Sequence, residues 1–448
     1  MNINLKKRGL KISVMYKKGI DPSKLFQNET TGGECMVKLL IIADDFTGAL
    51  DTGVQFAARG AATVVVTDLN YDFRSIEKTV EVLVMVAETR HVKPQEAYEI
   101  VYSIVHRAFK AGISYIYKKT DSALRGNIGS ELMALMDATG IDTIPFLPAF
   151  PKLGRVTREG IHYVDGVPVD QSVFGQDPFE PILDSAVADI LGQQTNMPVL
   201  IHPRKEEHNI SNPGIQVFDA ETDADLKHIG RELGLDRLRF SAGCAGFAAV
   251  LADMLNLKGP APKIPKLEEI LFIACGSVNP VTISQMKAAQ EHGFPHVNLN
   301  PVQKLEDRWA DSKAAVGCVR QWLAQAYAKK CFILDVNDPE GCEDTDIYAR
   351  EHNLTMEQLR VQISDNLAAL IKRMLDGGLN ATLLCTGGDT LMSLMQAVGI
   401  SELTPICEMA TGVVLTEFIY KNKTYHIISK SGGFGDRDLL IKLAEKIS

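Results

Sequence analysis

Long apolar segments and closely spaced cysteines are both missing from this 448-residue sequence. No run of about 18 apolar residues occurs, which excludes a membrane-spanning helix. The eight cysteines are scattered, with neither a Cys-x-x-Cys pair nor closely spaced histidines, which disfavours a zinc site and a disulfide framework. Several lie in apolar β-like runs, as free cysteines do in reducing compartments. We therefore predict a cytoplasmic protein without a membrane partner.

An excess of positive charge is also missing. The chain has 47 lysines and arginines against 56 aspartates and glutamates, a formal net charge of −9. A general nucleic-acid surface is therefore disfavoured, whereas an anionic small molecule is a compatible partner. Residues 1–35 are basic, but no apolar segment follows them, so they do not form a signal peptide. We predict a disordered leader there, either a flexible tail or the product of an upstream start codon assigned in error.

Strand-length apolar runs alternate with helix-length amphipathic segments from Met36 onward, which is typical of an α/β protein. The chain also exceeds the usual size of a single hydrophobic core. We predict two α/β domains with largely parallel sheets and an active site in the cleft between them. A linker at residues 258–266 separates an N-terminal domain, residues 36–257, from a C-terminal domain, residues 267–448.

Two further segments carry local predictions. Pro148 to Pro181 is rich in glycine and proline, and we predict little regular structure and a working loop or lid, with a plain irregular connection as the alternative. Near the C-terminus, apolar runs on both sides of Lys421-Asn422 predict paired strands joined by a short turn.

Two familiar nucleotide motifs are absent. Neither G-x-x-x-x-G-K-[S/T] nor a properly placed G-x-G-x-x-G occurs, so a P-loop enzyme and the usual dinucleotide fold are disfavoured. Three glycine-rich turns occur instead, each after a predicted strand and before a predicted helix: Gly276 to Asn279, Thr386 to Thr390 and Ser431 to Asp436. Glycine lets a backbone approach a phosphate closely, and a helix N-terminus attracts negative charge. Together the turns predict a phosphate or nucleotide site, although one such turn alone is often only geometric.

Phosphoryl transfer needs charge neutralisation and alignment more than covalent chemistry. Backbone amides, Mg²⁺ and nearby cations therefore suffice for it without a Walker motif. Asp389 and Asp436 each follow a glycine in one of these turns. Each is either an aid to metal binding or a helix N-cap. The sequence assigns no metal ligand.

Polar residues also follow the predicted strands of the N-terminal domain, at ends that meet on one edge of a parallel sheet. Asp44 and Asp45 come directly after the first strand. Because adjacent side chains diverge, we expect one carboxylate to reach the site and the other to cap the following helix. A carboxylate near a substrate hydroxyl acts as a general base or an aligning acceptor, and capping alone is the alternative.

Cations follow two other strands of this domain. Arg90 suits bidentate recognition of a carboxylate, and Lys119 and Arg125 supply further positive charge. Asp121 and Ser122 lie between these two cations and are predicted to bind hydroxyl groups. The expected ligand is an acidic, polyhydroxylated small molecule that faces the glycine-rich turns.

The chain resembles the four-carbon acid sugar kinase family, whose members include D-threonate, L-threonate, D-erythronate and 3-oxo-tetronate kinases. The motifs that carry the resemblance occur in order over both domains: Ile42 to Ala49 (IADDFTGA), Lys119 to Gly126 (KTDSALRG), Gly276-Ser277, Thr386 to Thr390 (TGGDT) and Ser431 to Gly435 (SGGFG). The resemblance covers roughly Met36 to the C-terminus, and residues 1–35 depart from it.

The resemblance implies that the N-terminal domain binds a sugar acid, that the C-terminal domain binds ATP with Mg²⁺, and that the γ-phosphate passes to the 4-hydroxyl. The implied substrate residues are Asp44 or Asp45, Arg90, Lys119, Thr120, Asp121 and Ser122. The implied ATP residues are Ser277, Gly387, Gly388, Asp389, Thr390 and Gly432. The candidates for the group that takes the hydroxyl proton are Asp44, Asp45 and Asp121, with the Asp44-Asp45 pair ranked first.

Two other functions share part of this pattern. A hydroxy-acid dehydrogenase would use the same anion-binding cations, but it requires a dinucleotide fingerprint that the sequence lacks. A non-catalytic sugar-acid-binding protein would need the same recognition residues and no nucleotide. The sugar-acid stereoisomer and homo-oligomer formation are both left open.

Overall fold

The computed structural model describes residues 37–176, 181–204, 210–260 and 262–447. The predicted leader, residues 1–35, lies outside the described residues.

Strands and helices alternate through the described part of the chain, as an α/β protein requires. Its strands are β1 (Leu39–Ala43), β2 (Thr63–Val66), β3 (Val82–Val86), β4 (Tyr115–Lys119), β5 (Thr143–Leu147), β6 (Arg155–Arg158), β7 (Ile161–Val164), β8 (Val167–Pro168), β9 (Val199–His202), β10 (Gly214–Phe218), β11 (Phe240–Gly243), β12 (Leu271–Cys275), β13 (His296–Asn298), β14 (Cys331–Asp335), β15 (Thr382–Thr386), β16 (Glu402–Ala410), β17 (Val413–Tyr420) and β18 (Lys423–Lys430). Its α-helices are α1 (Phe46–Ala57), α2 (Pro94–Lys110), α3 (Ile128–Thr139), α4 (Val187–Gly192), α5 (Asp223–Arg237), α6 (Ala245–Met254), α7 (Pro280–Glu291), α8 (Pro301–Leu305), α9 (Lys313–Lys329), α10 (Asp344–Glu351), α11 (Met356–Asp376), α12 (Gly388–Val398) and α13 (Leu439–Ile447).

The sheet confirms the predicted fold class and adds a connection between its two parts. In the N-terminal half the order β2-β3-β1-β4-β11-β5-β10-β9 is parallel throughout. In the C-terminal half β13-β14-β12-β15-β18 are parallel, and β17 and β16 extend that sheet antiparallel. A short antiparallel pairing of β16 with β2, in which Leu403 lies opposite Val65, joins the two into one 15-stranded sheet.

Local sequence explains where several elements begin and end. All five residues of β1 are buried, because helices cover both faces of a central parallel strand. Helix α1 begins after Asp45, whose side chain accepts a hydrogen bond from the backbone N–H of Gly48, and α2 begins with Pro94. The predicted hairpin is confirmed. Lys421 and Asn422 both have positive φ, 50° and 61°, as a two-residue turn between twisted antiparallel strands requires.

The prediction of little regular structure at residues 148–181 is wrong for residues 155–168. Strands β6, β7 and β8 form a separate three-stranded antiparallel sheet there. The sheet is tied to the rest of the N-terminal half by a bridge between Thr157 and Ala220 and another between Ile161 and Ala186. Strands of two to four residues are too short to show an alternating pattern among so many turn residues.

A buried ion pair fixes the end of β4 on helix α3. Lys118 and Glu131 are both fully buried, and Lys118 Nζ lies 2.9 Å from Glu131 Oε2. Thr89, after β3, donates a hydrogen bond to the other carboxylate oxygen, and Lys118 Nζ donates to the carbonyl of Lys119 at 2.8 Å. The pair therefore holds β4, α3 and the segment after β3 together.

Replacing Glu131 with glutamine should destabilise the protein strongly, because Lys118 would keep a buried charge without a counter-charge. We expect Glu131→Gln to lower the free energy of unfolding by about 3 to 5 kcal/mol. The matched control is Glu81→Gln, which breaks the solvent-exposed pair with Lys38 and should cost less than about 1 kcal/mol. Urea unfolding followed by circular dichroism measures both, and equal losses would contradict a structural role of the buried pair.

Candidate active site

The carboxyl ends of β1, β3 and β4 bring the predicted polar residues of the N-terminal half together. The three strands are parallel neighbours, and Ala43 lies opposite both Val86 and Lys119. The segments that follow them therefore leave the sheet at one edge. Asp44, Arg90 and Asp121 belong to three different segments, and Arg90 contacts both aspartates there.

Arg90 occupies the centre of this cluster. Its Nη2 lies 2.7 Å from Asp44 Oδ2, 2.7 Å from Asp45 Oδ1 and 3.5 Å from Asp121 Oδ1, and its Nε donates to Asp44 Oδ2 at 2.8 Å. The side chain is buried. The sequence predicted that Arg90 binds a substrate carboxylate, but in the structure the guanidinium is already engaged by carboxylates of the protein. Its effect is to hold three like charges close together.

Asp44 and Asp45 have different partners, and the predicted helix cap is Asp45. Asp45 is the N-cap of α1, and its Oδ1 accepts from the backbone N–H of Gly48 at 3.1 Å. Asp44 has one oxygen on Arg90, while its Oδ1 is buried and accepts no hydrogen bond from the described residues. Burial favours a raised pKa for Asp44, but Arg90 and Lys119 outweigh it, and the pKa lies below its ordinary value. Asp44 is therefore an ionised carboxylate with one available oxygen.

Asp121, in contrast, is fully engaged. Its Oδ2 accepts from Arg125 Nε at 2.8 Å and from the backbone N–H of Ala123 at 3.3 Å, and its Oδ1 accepts from Arg125 Nη2 at 3.2 Å. Burial opposes ionisation, yet Arg125 and Arg90 hold the pKa of Asp121 well below its usual range. Of the three candidate carboxylates, Asp121 is thus the least suited to take a proton.

Ser122 is held through its backbone by a residue that the predicted site did not include. His162, on β7, donates from Nε2 to the carbonyl of Ser122 at 2.9 Å, and its Nδ1 accepts from Thr157 Oγ1 at 3.1 Å. Burial lowers the pKa of His162 to about 4, so the ring is neutral at ordinary pH. The three-stranded sheet therefore supports the segment that carries Asp121.

Lys119 and Thr120, like Asp44, have polar atoms that no described residue engages in a hydrogen bond. Lys119 is buried, its Nζ lies 3.9 Å from Asp44 Oδ1, and it forms no hydrogen bond with the described residues. A Cβ on Gly48 would lie 2.6 Å from this ammonium, so a side chain there would displace Lys119 from its position. Thr120 Oγ1 is likewise buried without a hydrogen-bond partner among the described residues. A donor, a hydroxyl and a carboxylate oxygen are therefore available in one cluster.

In the C-terminal half, the three glycine-rich turns meet at the ends of the neighbouring strands β12, β15 and β18. Ser277 donates its backbone N–H to Thr386 Oγ1 at 3.3 Å, and Gly387 donates its own to the carbonyl of Lys430 at 3.4 Å. A Cβ on Gly276 would lie 1.8 Å from Thr390 Oγ1, and a Cβ on Gly432 would lie 2.6 Å from Ser277 Oγ. The predicted residues Ser277, Gly387, Thr390 and Gly432 therefore form one compact group.

The two acidic residues that follow glycines in these turns, Asp389 and Asp436, both pair with basic side chains, and Asp436 Oδ1 also accepts the backbone N–H of Asp438 at 3.2 Å just before α13. The N-cap of α12 is Gly387, so the capping interpretation of Asp389 is wrong. Asp389 lies in the first turn of that helix and pairs with Arg360 at 2.8 Å. Asp436 pairs with Lys442 at 2.5 Å. No cluster of three or more His, Cys, Asp or Glu side chains able to hold a metal occurs in the described part of the chain.

The two halves of the site touch each other. A Cβ on Gly388 would lie 3.2 Å from Thr47 Oγ1 and 4.0 Å from Asp45 Oδ2, which places the start of α12 against the start of α1. Glu88 lies at the same junction, where burial and then the charges of Asp45 and Asp389 raise its pKa to about 8. The candidate site is thus the junction at which the carboxylate cluster, Asp44, Asp45 and Asp121 around Arg90, meets the glycine-rich turns.

Comparisons with known proteins agree with this arrangement. The chain is 28% identical over 420 residues to the D-threonate kinase of Salmonella typhimurium, an alignment that covers 90% of this chain and 97% of the relative. It is 26% identical to the D-erythronate kinase of Heliobacterium modesticaldum, with 90% and 95% covered. It is 25% identical to the 3-oxo-tetronate kinase of Methylobacterium radiotolerans, with 89% and 96% covered.

Solved structures show the same fold. A Salmonella typhimurium LT2 protein described as a tRNA synthase matches with a TM-score of 0.76 at 21% identity, covering 92% of this chain and all of that one. A Haemophilus influenzae protein matches with a TM-score of 0.67 at 21% identity, covering 91% and 99%. At this level of identity the likeness establishes the fold alone.

Two family models match the chain in sequence, and their ranges correspond to the two halves of the site. A sugar-binding N-terminal domain matches residues 39–251, and a nucleotide-binding C-terminal domain matches residues 272–440. The carboxylate cluster lies in the first range and the glycine-rich turns lie in the second. The chain belongs to the four-carbon acid sugar kinase family.

Proposed function

We propose that the protein transfers the γ-phosphate of ATP to the 4-hydroxyl of a four-carbon sugar acid: threonate, erythronate or 3-oxo-tetronate. The observation that carries the proposal is the approach of Gly388, at the start of α12, to Thr47 and Asp45, at the start of α1. A Cβ at position 388 would lie 3.2 Å from Thr47 Oγ1 and 4.0 Å from Asp45 Oδ2. In-line phosphoryl transfer requires the acceptor hydroxyl and the nucleotide phosphates to be neighbours, and this approach brings together the two groups of residues proposed to bind them. The threonate, erythronate and 3-oxo-tetronate kinases aligned above supply the substrate class.

The sugar acid is bound by the polar atoms that have no protein partner. Lys119 Nζ has donors that no described residue accepts, so it binds the substrate carboxylate or a hydroxyl, and Thr120 Oγ1 binds a second hydroxyl. Asp44 Oδ1 accepts a hydrogen bond from the reacting hydroxyl, because its other oxygen is fixed by Arg90. Arg90, Asp121 and Arg125 orient these groups through their mutual ion pairs.

ATP is bound by backbone N–H groups of the glycine-rich turns. Gly387, with a φ of 93°, turns the chain from β15 directly into α12, so the positive end of the helix dipole faces the cleft. Ser277 and Gly432 border the same space, as their mutual contact indicates.

Carboxylates at the junction fit Mg²⁺, which usually takes one or two protein carboxylates and completes its shell with phosphate oxygens and water. Glu88 Oε1 is buried without a hydrogen bond from the described residues, close to Asp45 and Asp389. Because no three such side chains converge on one metal position within the described residues, one or two of them at most would contact the ion, and phosphate oxygens and water would complete its shell. Bound there, Mg²⁺ would neutralise phosphate charge.

The direct test is an ATP-consumption assay of the purified chain with threonates, erythronates and 3-oxo-tetronates, followed by ³¹P NMR of the product. We expect one or more of these acids to yield a phosphate ester at C4. Binding of NAD with no binding of ATP would favour a dehydrogenase. Binding of a sugar acid without phosphate transfer, with every acid tested, would favour a non-catalytic binding protein.

Removing the ammonium of Lys119 should weaken sugar-acid binding selectively. We expect Lys119→Met to raise the KM for the sugar acid about tenfold or more, because a charge-assisted hydrogen bond contributes about 1.5 to 3 kcal/mol. ATP affinity measured by calorimetry should change less than about threefold. The control is Lys110→Met at the exposed end of α2. A loss of ATP affinity instead would reverse the assignment of ligands to the two halves.

Replacing Gly276 with alanine should weaken nucleotide binding and leave sugar-acid binding almost unchanged. The Cβ of Gly276→Ala would collide with the buried Thr390, so β12 and α12 would have to separate, at a cost of about 1 to 3 kcal/mol. We expect at least about a tenfold loss of ATP affinity with little change in sugar-acid binding. Gly317→Ala is the matched control, since nothing lies within 4 Å of its Cβ. Equal ATP affinity in both variants would argue against a nucleotide site at this turn.

A further inference from the structure

Lys430, the last residue of β18, differs from the other deeply buried lysines of the described chain. Lys118, Lys304 and Lys430 are each at most 1% exposed. Lys118 pairs with Glu131 at 2.9 Å, and Lys304 pairs with Asp338 at 2.6 Å. Lys430 has no carboxylate partner within the described residues. Because an ammonium group loses several kcal/mol of hydration when it is buried, an uncompensated one requires an explanation.

The contacts of Lys430 are all with the glycine-rich turns and the helix beside them. Its Nζ donates to the carbonyl of Ser431 at 3.0 Å, to the carbonyl of Gly432 at 3.2 Å and to Thr282 Oγ1 at 3.1 Å. Thr282, on α7, donates in turn to the carbonyl of Gly432 at 2.7 Å. The carbonyl of Lys430 accepts the backbone N–H of Gly387. Lys430 therefore links the second and third turns and fastens the third to α7.

These contacts determine the direction of two backbone N–H groups. In a trans peptide the C=O and the N–H point to opposite sides, and no cis peptide occurs in the described residues. Since the carbonyls of Ser431 and Gly432 point inward to Lys430, the N–H groups of Gly432 and Gly433 point away from it. Neither of these N–H groups has an acceptor among the described residues. Successive free N–H groups of this kind form an anion-binding concavity.

We infer that Lys430 is a positioning residue of the phosphate site, which aims the N–H groups of Gly432 and Gly433 at the nucleotide phosphates and supplies the positive charge behind them. This inference rests on the proposed use of ATP and adds a residue that recognises its phosphates rather than its base. All three Nζ donors are used by protein acceptors, so Lys430 acts through the turn and through its charge. The phosphates provide the counter-charge that the protein lacks.

The electrostatic surroundings of Lys430 agree with this role. Burial lowers its pKa to about 8, and the one ionisable neighbour that affects it is Cys275 on β12. Burial and the nearby Asp335 raise the pKa of that thiol well above its ordinary value, so it is neutral. The neighbours on the other elements, Thr282 on α7 and Val413 on β17, carry no charge. The site is therefore cationic below about pH 8 and loses its charge above it.

The test compares ligands with and without phosphates on the full-length chain. Dissociation constants of ATP, ADP, adenosine and inorganic tripolyphosphate are measured by calorimetry for wild type, Lys430→Met and Lys430→Arg at pH 7 and pH 9. We expect Lys430→Met to weaken ATP, ADP and tripolyphosphate binding about tenfold or more, or about 1.4 kcal/mol, with adenosine within about twofold of wild type. Wild type should bind ATP more weakly at pH 9 than at pH 7, and Lys430→Arg should bind it without that pH dependence.

The control is Lys423→Met at the opposite, exposed end of the same strand, which should behave as wild type. If Lys430 had a merely structural role, Lys430→Met would weaken adenosine binding as much as ATP binding. That result overturns the inference, and so does unchanged ATP binding by Lys430→Met. If Lys430→Met does not fold, the pH comparison of wild type with Lys430→Arg decides, and equal pH dependence overturns it. Failure of wild type to bind ATP would instead count against the proposed function, while tripolyphosphate still tests Lys430.

Discussion

The site depends on compensation of charge at the edge of a buried parallel sheet. Three carboxylates from two segments, Asp44 and Asp45 after β1 and Asp121 after β4, approach one another beside α1, and they do so because Arg90 lies between them. Without that guanidinium the carboxylates would repel one another or take up protons. With it, Asp121 is locked and Asp44 stays ionised with one oxygen available. The charge network thus decides which groups are free for a ligand.

The continuous sheet places the glycine-rich turns next to this charge network. Pairing of β16 with β2 joins the two parallel regions, and the start of α12 then lies against the start of α1. The approach is close, because a Cβ at position 388 would lie 3.2 Å from Thr47 Oγ1. The carboxylate cluster and the glycine-rich turns are therefore parts of one site. The membership of the chain in a kinase family agrees with an acceptor pocket facing a phosphate site.

Much of this site could be predicted from sequence, because polar residues after consecutive parallel strands must lie on one edge. That reasoning placed Asp44, Arg90 and Lys119 together at one edge of the sheet, and it placed the three glycine-rich turns together at the ends of neighbouring strands, as the structure has them. It did not find the partners of Arg90, since a cation at a strand end gives no sign of which carboxylates will surround it. It also missed the structural role of Lys118, whose partner Glu131 is on the next helix. A lysine directly before a glycine-rich turn was the available signal for Lys430.

The sequence by itself determined the α/β class, the main strands and helices around the site and the residue types at the strand ends, because hydrophobic periodicity and turn chemistry are local properties of the chain. Tertiary structure decided which charges are compensated and which are left for a ligand. It also decided that β2 and β16 pair and that short strands form between residues 155 and 168. The physical reason is that hydration loss and charge pairing depend on groups a few ångströms apart in space, however far apart they lie in the chain.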